Sequence, residues 1–165
     1  MAEKLSGVLI GTAGVYYVAS ELAARGFHAA VTYGNAPTVD ILVGRLDGAV
    51  TLSLQVKTSH WALRTRGRGV TKSPHHYEWD VGEKSATLHR HDLFFAFVDL
   101  KTGSNEKPDV FIVPSKIVVE AFDNPYFKSD KRRRWRWHPG INNVERFKNN
   151  WTILDTFLRE KTIES

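Results

Sequence analysis

The chain has 165 residues, 42% of them hydrophobic and 25% charged, a length and balance that suit one domain (residues 1–165) with a sizeable buried core. It has no cysteine, which excludes disulfides, thiolate zinc sites and a cysteine nucleophile, and fits a cytoplasmic location. The net charge is +5, and no apolar run of about 18 residues stands out, so no membrane span is expected.

In chain order, residues 1–11 read as a lead-in whose apolar stretch is too short and poorly flanked for a signal peptide. Residues 12–25, TAGVYYVASELAAR, have helical periodicity. Val15, Val18, Ala19 and Leu22 recur at i, i+3, i+4 and i+7, Thr12 is placed to cap the start, and Gly26 to end the helix in the left-handed conformation. Glu21 lies at the edge of the stripe, where an i, i+4 pair with Arg25 is its simplest use. Residues 27–33 read as a strand and 34–37 as a turn. The stretch VDILVGRLDGAVTLSLQVKT (39–58) reads as a hairpin with strands at about 39–46 and 49–57, turning at Asp47-Gly48. Three consecutive strands after one helix predict an antiparallel meander packed on that helix.

The hairpin carries polar groups where apolar ones are expected. Asp40 opens its first strand, and Gln55 and Lys57 close its second. Residues two apart share a face of a strand, so Gln55 and Lys57 point together and Val56 points away. The fold of the hairpin brings Asp40 to them. A carboxylate, an amide oxygen and an ammonium at one place fit either a metal site or a structural Asp40–Lys57 ion pair.

Residues 59–73 read as a mobile loop, partly disordered without a ligand. His75 and His76 are adjacent, and adjacent side chains in a strand point opposite ways, which makes them a poor metal pair. Residues 83–91 read as a short helix, 93–100 (LFFAFVDL) as a buried strand, 110–113 as another strand, and 115–122 as a helix with Ile117, Val118 and Ala121 inward. The last helix, about 143–159, places Trp151, Leu154 and Leu158 on one face.

The charge is concentrated. Residues 60–75 hold Arg64, Arg66, Arg68 and Lys72 with no acid, for +4, and residues 128–138 hold six cations against Asp130, for +5. The remainder of the chain sums to −4. Basic loops at about 59–75 and 123–140 on a mildly acidic body suit either a polyanion such as nucleic acid, here DNA, or plain solvated, solubilising loops. In the second loop Trp135 and Trp137 alternate with Arg132, Arg133, Arg134 and Arg136 in RRRWRW, as in an edge strand. The indoles either stack on bases or anchor the loop to the core.

A helix bearing Glu21, a strand, a strand opened by Asp40 and a strand ending Gln55-Val56-Lys57 together resemble the PD-(D/E)XK nuclease superfamily, which includes restriction endonucleases and Holliday-junction resolvases. The resemblance spans roughly residues 12–113. It implies an α/β fold of the restriction-endonuclease type, with a central mixed β-sheet flanked by helices in αβββαβ order. It implies a Mg²⁺-dependent DNA endonuclease, with Mn²⁺ as substitute metal. The ligands would be Asp40, Gln55, the Val56 carbonyl and Glu21, and Lys57 would orient the nucleophile or stabilise charge on the phosphate. The chain departs from the pattern twice. Val39 precedes Asp40 where the family has proline, and Gln55 replaces an acid. The replacement removes a negative charge, so a non-catalytic module binding nucleic acid or a protein partner is the alternative. A homodimer is expected if both DNA strands are cut.

Overall fold

The computed structural model describes residues 6–33, 38–46, 48, 50–124, 127–129 and 134–164. Helix α1 (Gly7–Ala24) opens the fold. It starts well before Thr12 because the Ser6 hydroxyl accepts the Leu9 N–H at 3.3 Å and caps the first turn. Gly26 takes φ +82° just past its end, as expected. Strands β1 (His28–Val31), β2 (Ile41–Gly44) and β3 (Thr51–Ser59) form the expected antiparallel meander, and Gly48 at φ +65° lies in the β2–β3 turn. Asp47 lies outside the described residues.

The chain then leaves the central sheet. Residues 59–73 hold regular secondary structure where a loop was expected. Strands β4 (Leu63–Arg66) and β5 (Ser73–Tyr77) pair as an antiparallel ribbon around a 3-10 turn at Gly69–Thr71. A bulge interrupts the ribbon, since Arg64 faces His76 and Thr65 faces Pro74. His75 has no partner residue in that register, and the bulge lets its ring swing beside the next one. Nδ1 of His75 lies 3.0 Å from Nδ1 of His76, so the two imidazoles do not point apart. Strand β6 (Trp79–Asp80) follows, and the helix expected at 83–91 is one turn, α2 (Glu83–Ala86).

The chain returns through β7 (Leu93–Asp99), which pairs parallel with β3, and β8 (Asp109–Pro114), which pairs antiparallel with β7. The result is a mixed five-stranded sheet in the order β1-β2-β3-β7-β8. Every residue of β7 is buried, as its apolar run predicts. Helix α3 (Ser115–Ala121) follows, then β9 (Lys128–Ser129) and β10 (Arg134–Trp137). Strand β10 is the middle strand of a small sheet between β6 and β9, not an edge. The last helical region is broken into α4 (Ile141–Val144), a 3-10 turn at Glu145–Phe147 and α5 (Thr152–Glu164). Asn149 marks the break at φ +51°, with its side chain bonded to the Val110 N–H (2.9 Å) and to Asp109 Oδ1 (3.1 Å).

Each sheet face has its own core. On one, Val18 and Leu22 of α1 and Leu154 and Leu158 of α5 cover Ile41, Leu54, Val56 and Ile112. On the other, Trp79, Trp137 and Val118 cover Phe95, Phe97 and Phe111. Burying each such side chain contributes about 1.5–3 kcal/mol. By length and composition α1 is long and apolar enough to cross a membrane, contrary to the expectation that no such run stands out. Here it packs on the sheet through Gly14, Val18 and Leu22, leaving Val8, Leu9 and Tyr16 exposed.

Gly14 lets α1 approach β3 closely: a methyl group at that position would overlap Thr58 Oγ1 and lie 2.8 Å from its Cγ2. Gly14→Ala is expected to lower the denaturant midpoint, costing about 1–3 kcal/mol. Thr58→Ala, which removes the two nearest atoms, should recover part of that loss in the double variant.

Candidate active site

Asp40 sits where β2 leaves β3. Its N–H donates to the Leu54 carbonyl (2.8 Å), and its carbonyl accepts the Thr32 N–H (3.0 Å), so its backbone is tied on both sides. The Thr32 hydroxyl also donates to the Val39 carbonyl at 2.6 Å, and Thr38 turns the chain at φ +72°. Regular pairing of β2 with β3 therefore stops at Ile41–Leu54. The next N–H on that edge of β3, from Val56, has no strand carbonyl to meet. Asp40 Oδ2 accepts it at 2.7 Å. Residues alternate in the edge they address, so the Val56 carbonyl projects from the same edge as its N–H.

Asp40 thus bridges the Leu54 carbonyl and the Val56 N–H, on either side of Gln55, whose side chain shares a face of β3 with Lys57. Across β3, Gln55 pairs with Phe95 and Lys57 with Phe97. Gln55 is 7% exposed, and its Oε1 is buried without a hydrogen-bond partner. Such an atom costs about 1–3 kcal/mol. Lys57 is half-buried, and burial pushes its pKa below the usual lysine value. The carboxylates of Asp40 and Asp80 oppose that shift. Thus Asp40, Gln55, Lys57 and the Val56 backbone come together.

Glu21 is not brought to this cluster. Its carboxylate pairs with Arg25 at 2.8 Å, and the Arg25 guanidinium lies over the Trp151 ring at 4.8 Å. Among the described residues no group of three or more His, Asp or Glu is arranged to hold a metal.

No motif in the sequence marks Asp80. It reaches Lys57 because the chain between β3 and β7 brings β6 back beside β3, which no spacing rule in the sequence signals. Arg136 Nε donates to Asp80 Oδ1 at 2.9 Å, and its Nη1 to Glu78 at 3.1 Å.

No protein-family model and no curated protein sequence matches the chain. Among solved structures it is similar to a bacterial homing endonuclease, I-Ssp6803I, with a TM-score of 0.63 over 98% of this chain and 100% of that one, at 11% identity. The fold is nuclease-like. At that identity the likeness is one of architecture: a mixed sheet flanked by helices.

On this fold the basic residues fall into two groups. Arg64 and Arg136 are held by acids, Arg64 by Glu78 at 3.5 Å and Arg136 by Glu78 and Asp80. Arg66, Arg68 and Lys72 are exposed and form no ion pair with the described residues. Arg132 and Arg133 lie outside the described residues, and Arg134 is placed in β10 by its backbone. The tryptophans serve as anchors. Trp137 is buried with its ring 4.5 Å from Phe97, and Trp135 packs 5.7 Å from Phe122.

The charge balance at Lys57 gives a signed expectation. The Asp40 carboxylate favours the charged lysine against burial, so Asp40→Asn should lower the Lys57 pKa further. NMR titration of the lysine side-chain resonances reads the shift, and an unchanged or raised value would contradict the coupling.

Proposed function

We propose that the chain is a metal-dependent DNA endonuclease that hydrolyses phosphodiester bonds, with a PD-(D/E)XK-type centre in its Q-x-K form. The observation that carries the reading is the buried, unpartnered Oε1 of Gln55 next in the chain to Val56, whose N–H anchors the Asp40 carboxylate. The nuclease-like architecture supports it, as does the similar homing endonuclease.

The donors fit a hard divalent cation. Asp40, Gln55 Oε1 and the Val56 carbonyl are all oxygens, as Mg²⁺ or Mn²⁺ requires. When bound, the cation would polarise the scissile phosphate and acidify a water. The chain's own residues do the rest. The Val56 N–H fixes one oxygen of Asp40 and leaves the other for the ion. Gln55 supplies a neutral oxygen, so the set has one negative charge fewer than its acidic counterpart and holds the ion more weakly. Lys57, desolvated and near two carboxylates, aims a positive charge at the phosphate as negative charge grows on its oxygens. Water adds to phosphorus, and the bond from phosphorus to the leaving oxygen breaks. Glu21 stays on Arg25 and outside the direct set. Arg66, Arg68 and Lys72 hold the DNA backbone. Cutting both strands calls for two such centres, so a homodimer belongs to the proposal.

A second reading rests on Gln55 itself. With one carboxylate in the direct set, the fold could serve as a binding module without catalysis. DNA binding that persists in chelator, with no cleavage of any substrate, would favour it.

The test is cleavage of supercoiled, branched and single-stranded DNA with Mg²⁺ or Mn²⁺. Asp40→Ala and Lys57→Ala should each lower the rate at least about a hundredfold. Equal activity in wild type and both variants would remove the catalytic claim. Calorimetry with Mn²⁺ gives an independent readout, in which Asp40→Ala should lose binding and Gln55→Glu should tighten it.

A further inference from the structure

The β4–β5 ribbon belongs to no other sheet. It departs from the C-terminal end of β3, the end that carries Gln55 and Lys57. Its base is clamped. Asp99, which is buried, accepts the Ala62 N–H at 2.9 Å, and the Ala62 carbonyl accepts the Glu78 N–H at 2.9 Å.

The tip is clamped as well. Thr71 Oγ1 donates to the Arg68 carbonyl (2.8 Å) and accepts the Arg68 N–H (3.2 Å). The Lys72 N–H closes on the Gly69 carbonyl at 3.1 Å. Gly67 has φ +99°, and a side chain there would run into the Thr71 carbonyl, so only glycine fits. This rigid tip presents Val70 with its side chain fully bare, at 105% of its reference surface. Arg66, Arg68 and Lys72 flank it, all exposed and without an ion pair among the described residues, whereas Arg64 at the base is tied to Glu78.

A lone exposed valine is ordinary. One fixed at the tip of a protruding ribbon between unpaired cations is arranged for a polyanion with an apolar feature in its floor. Double-stranded DNA has that chemistry. A two-stranded ribbon with its side chains fits a groove roughly 12 Å wide and not one about 6 Å wide, which selects the major groove. The apolar feature there is the thymine C5-methyl group.

We propose that the β4–β5 ribbon enters the DNA major groove, with Arg66, Arg68 and Lys72 on the phosphates and Val70 against a thymine methyl, making Val70 a specificity determinant. This inference rests on the DNA-binding reading above and adds which element reads the duplex and which base it prefers.

The experiment begins with selection of bound duplexes from a random DNA library by the wild-type protein. The selected duplex is then remade with deoxyuridine in place of thymine, one position at a time, which removes only the methyl group. Wild type should bind three- to fivefold more weakly at one or two positions, about the worth of one buried methyl. Val70→Ala should bind the thymine and uracil duplexes equally, and Val70→Leu should keep the discrimination. Arg66→Ala, Arg68→Ala and Lys72→Ala should weaken both duplexes alike and flatten the salt dependence by about one unit each. The proposal is overturned if no position responds to the methyl, or if Val70→Ala still discriminates. If wild type binds no duplex even at low salt, the DNA reading itself fails. If it binds and cleaves but ignores the methyl, this proposal falls and the DNA reading stands.

Discussion

The site depends on one hydrogen bond, from the Val56 N–H to Asp40 Oδ2. It exists because β2 stops pairing with β3 one residue too early to supply a backbone carbonyl. The carboxylate takes the place of the missing strand and so becomes part of the sheet. Its position is fixed to the accuracy of backbone geometry, and no other side chain is needed to hold it. A buried N–H left open would cost free energy comparable to a lost hydrogen bond, so fold stability and site geometry share this contact.

Strand β3 carries two unlike faces. Val56 and Thr58 point toward α1, where Gly14 permits close packing. Gln55 and Lys57 point to the face that carries Phe95 and Phe97, with Trp79 packed on it. Placing an amide and an ammonium among aromatic rings is costly unless each finds a partner. Lys57 has partial compensation from Asp40 and Asp80, and Gln55 Oε1 has none. Unsatisfied polarity of this kind concentrates where a fold trades stability for chemistry. The aromatic cover has a second role. Trp79 donates from Nε1 to the Val98 carbonyl at 2.9 Å and so carries Asp80 to the rim of the cluster.

Much of this was legible in the residues. The meander, the Asp40–Gln55–Lys57 convergence and the buried run of β7 follow from alternation and turn chemistry, which are local. The start of α1 was not legible, because a serine cap outweighed a glycine-rich first turn. Nor was the ribbon at residues 63–77, because its arginines and glycines look like loop composition while its order comes from Asp99 and from its own tip. The His75–His76 contact escaped because a bulge cancels strand alternation. The indoles of RRRWRW face the core because β10 is the middle strand of a small sheet, and pairing of that kind leaves no trace in spacing.

The sequence alone determined the polar triplet on the hairpin, the helix before it and the concentration of positive charge. Each depends on residues close together in the chain. Only the tertiary structure decided that Asp80 stands by Lys57, and that the cations divide into paired and unpaired groups. Those outcomes depend on contacts between segments far apart in sequence, such as β3 with β6 or Arg136 with Asp80. Such contacts form only after the sheet has buried its two faces, and no local periodicity records them.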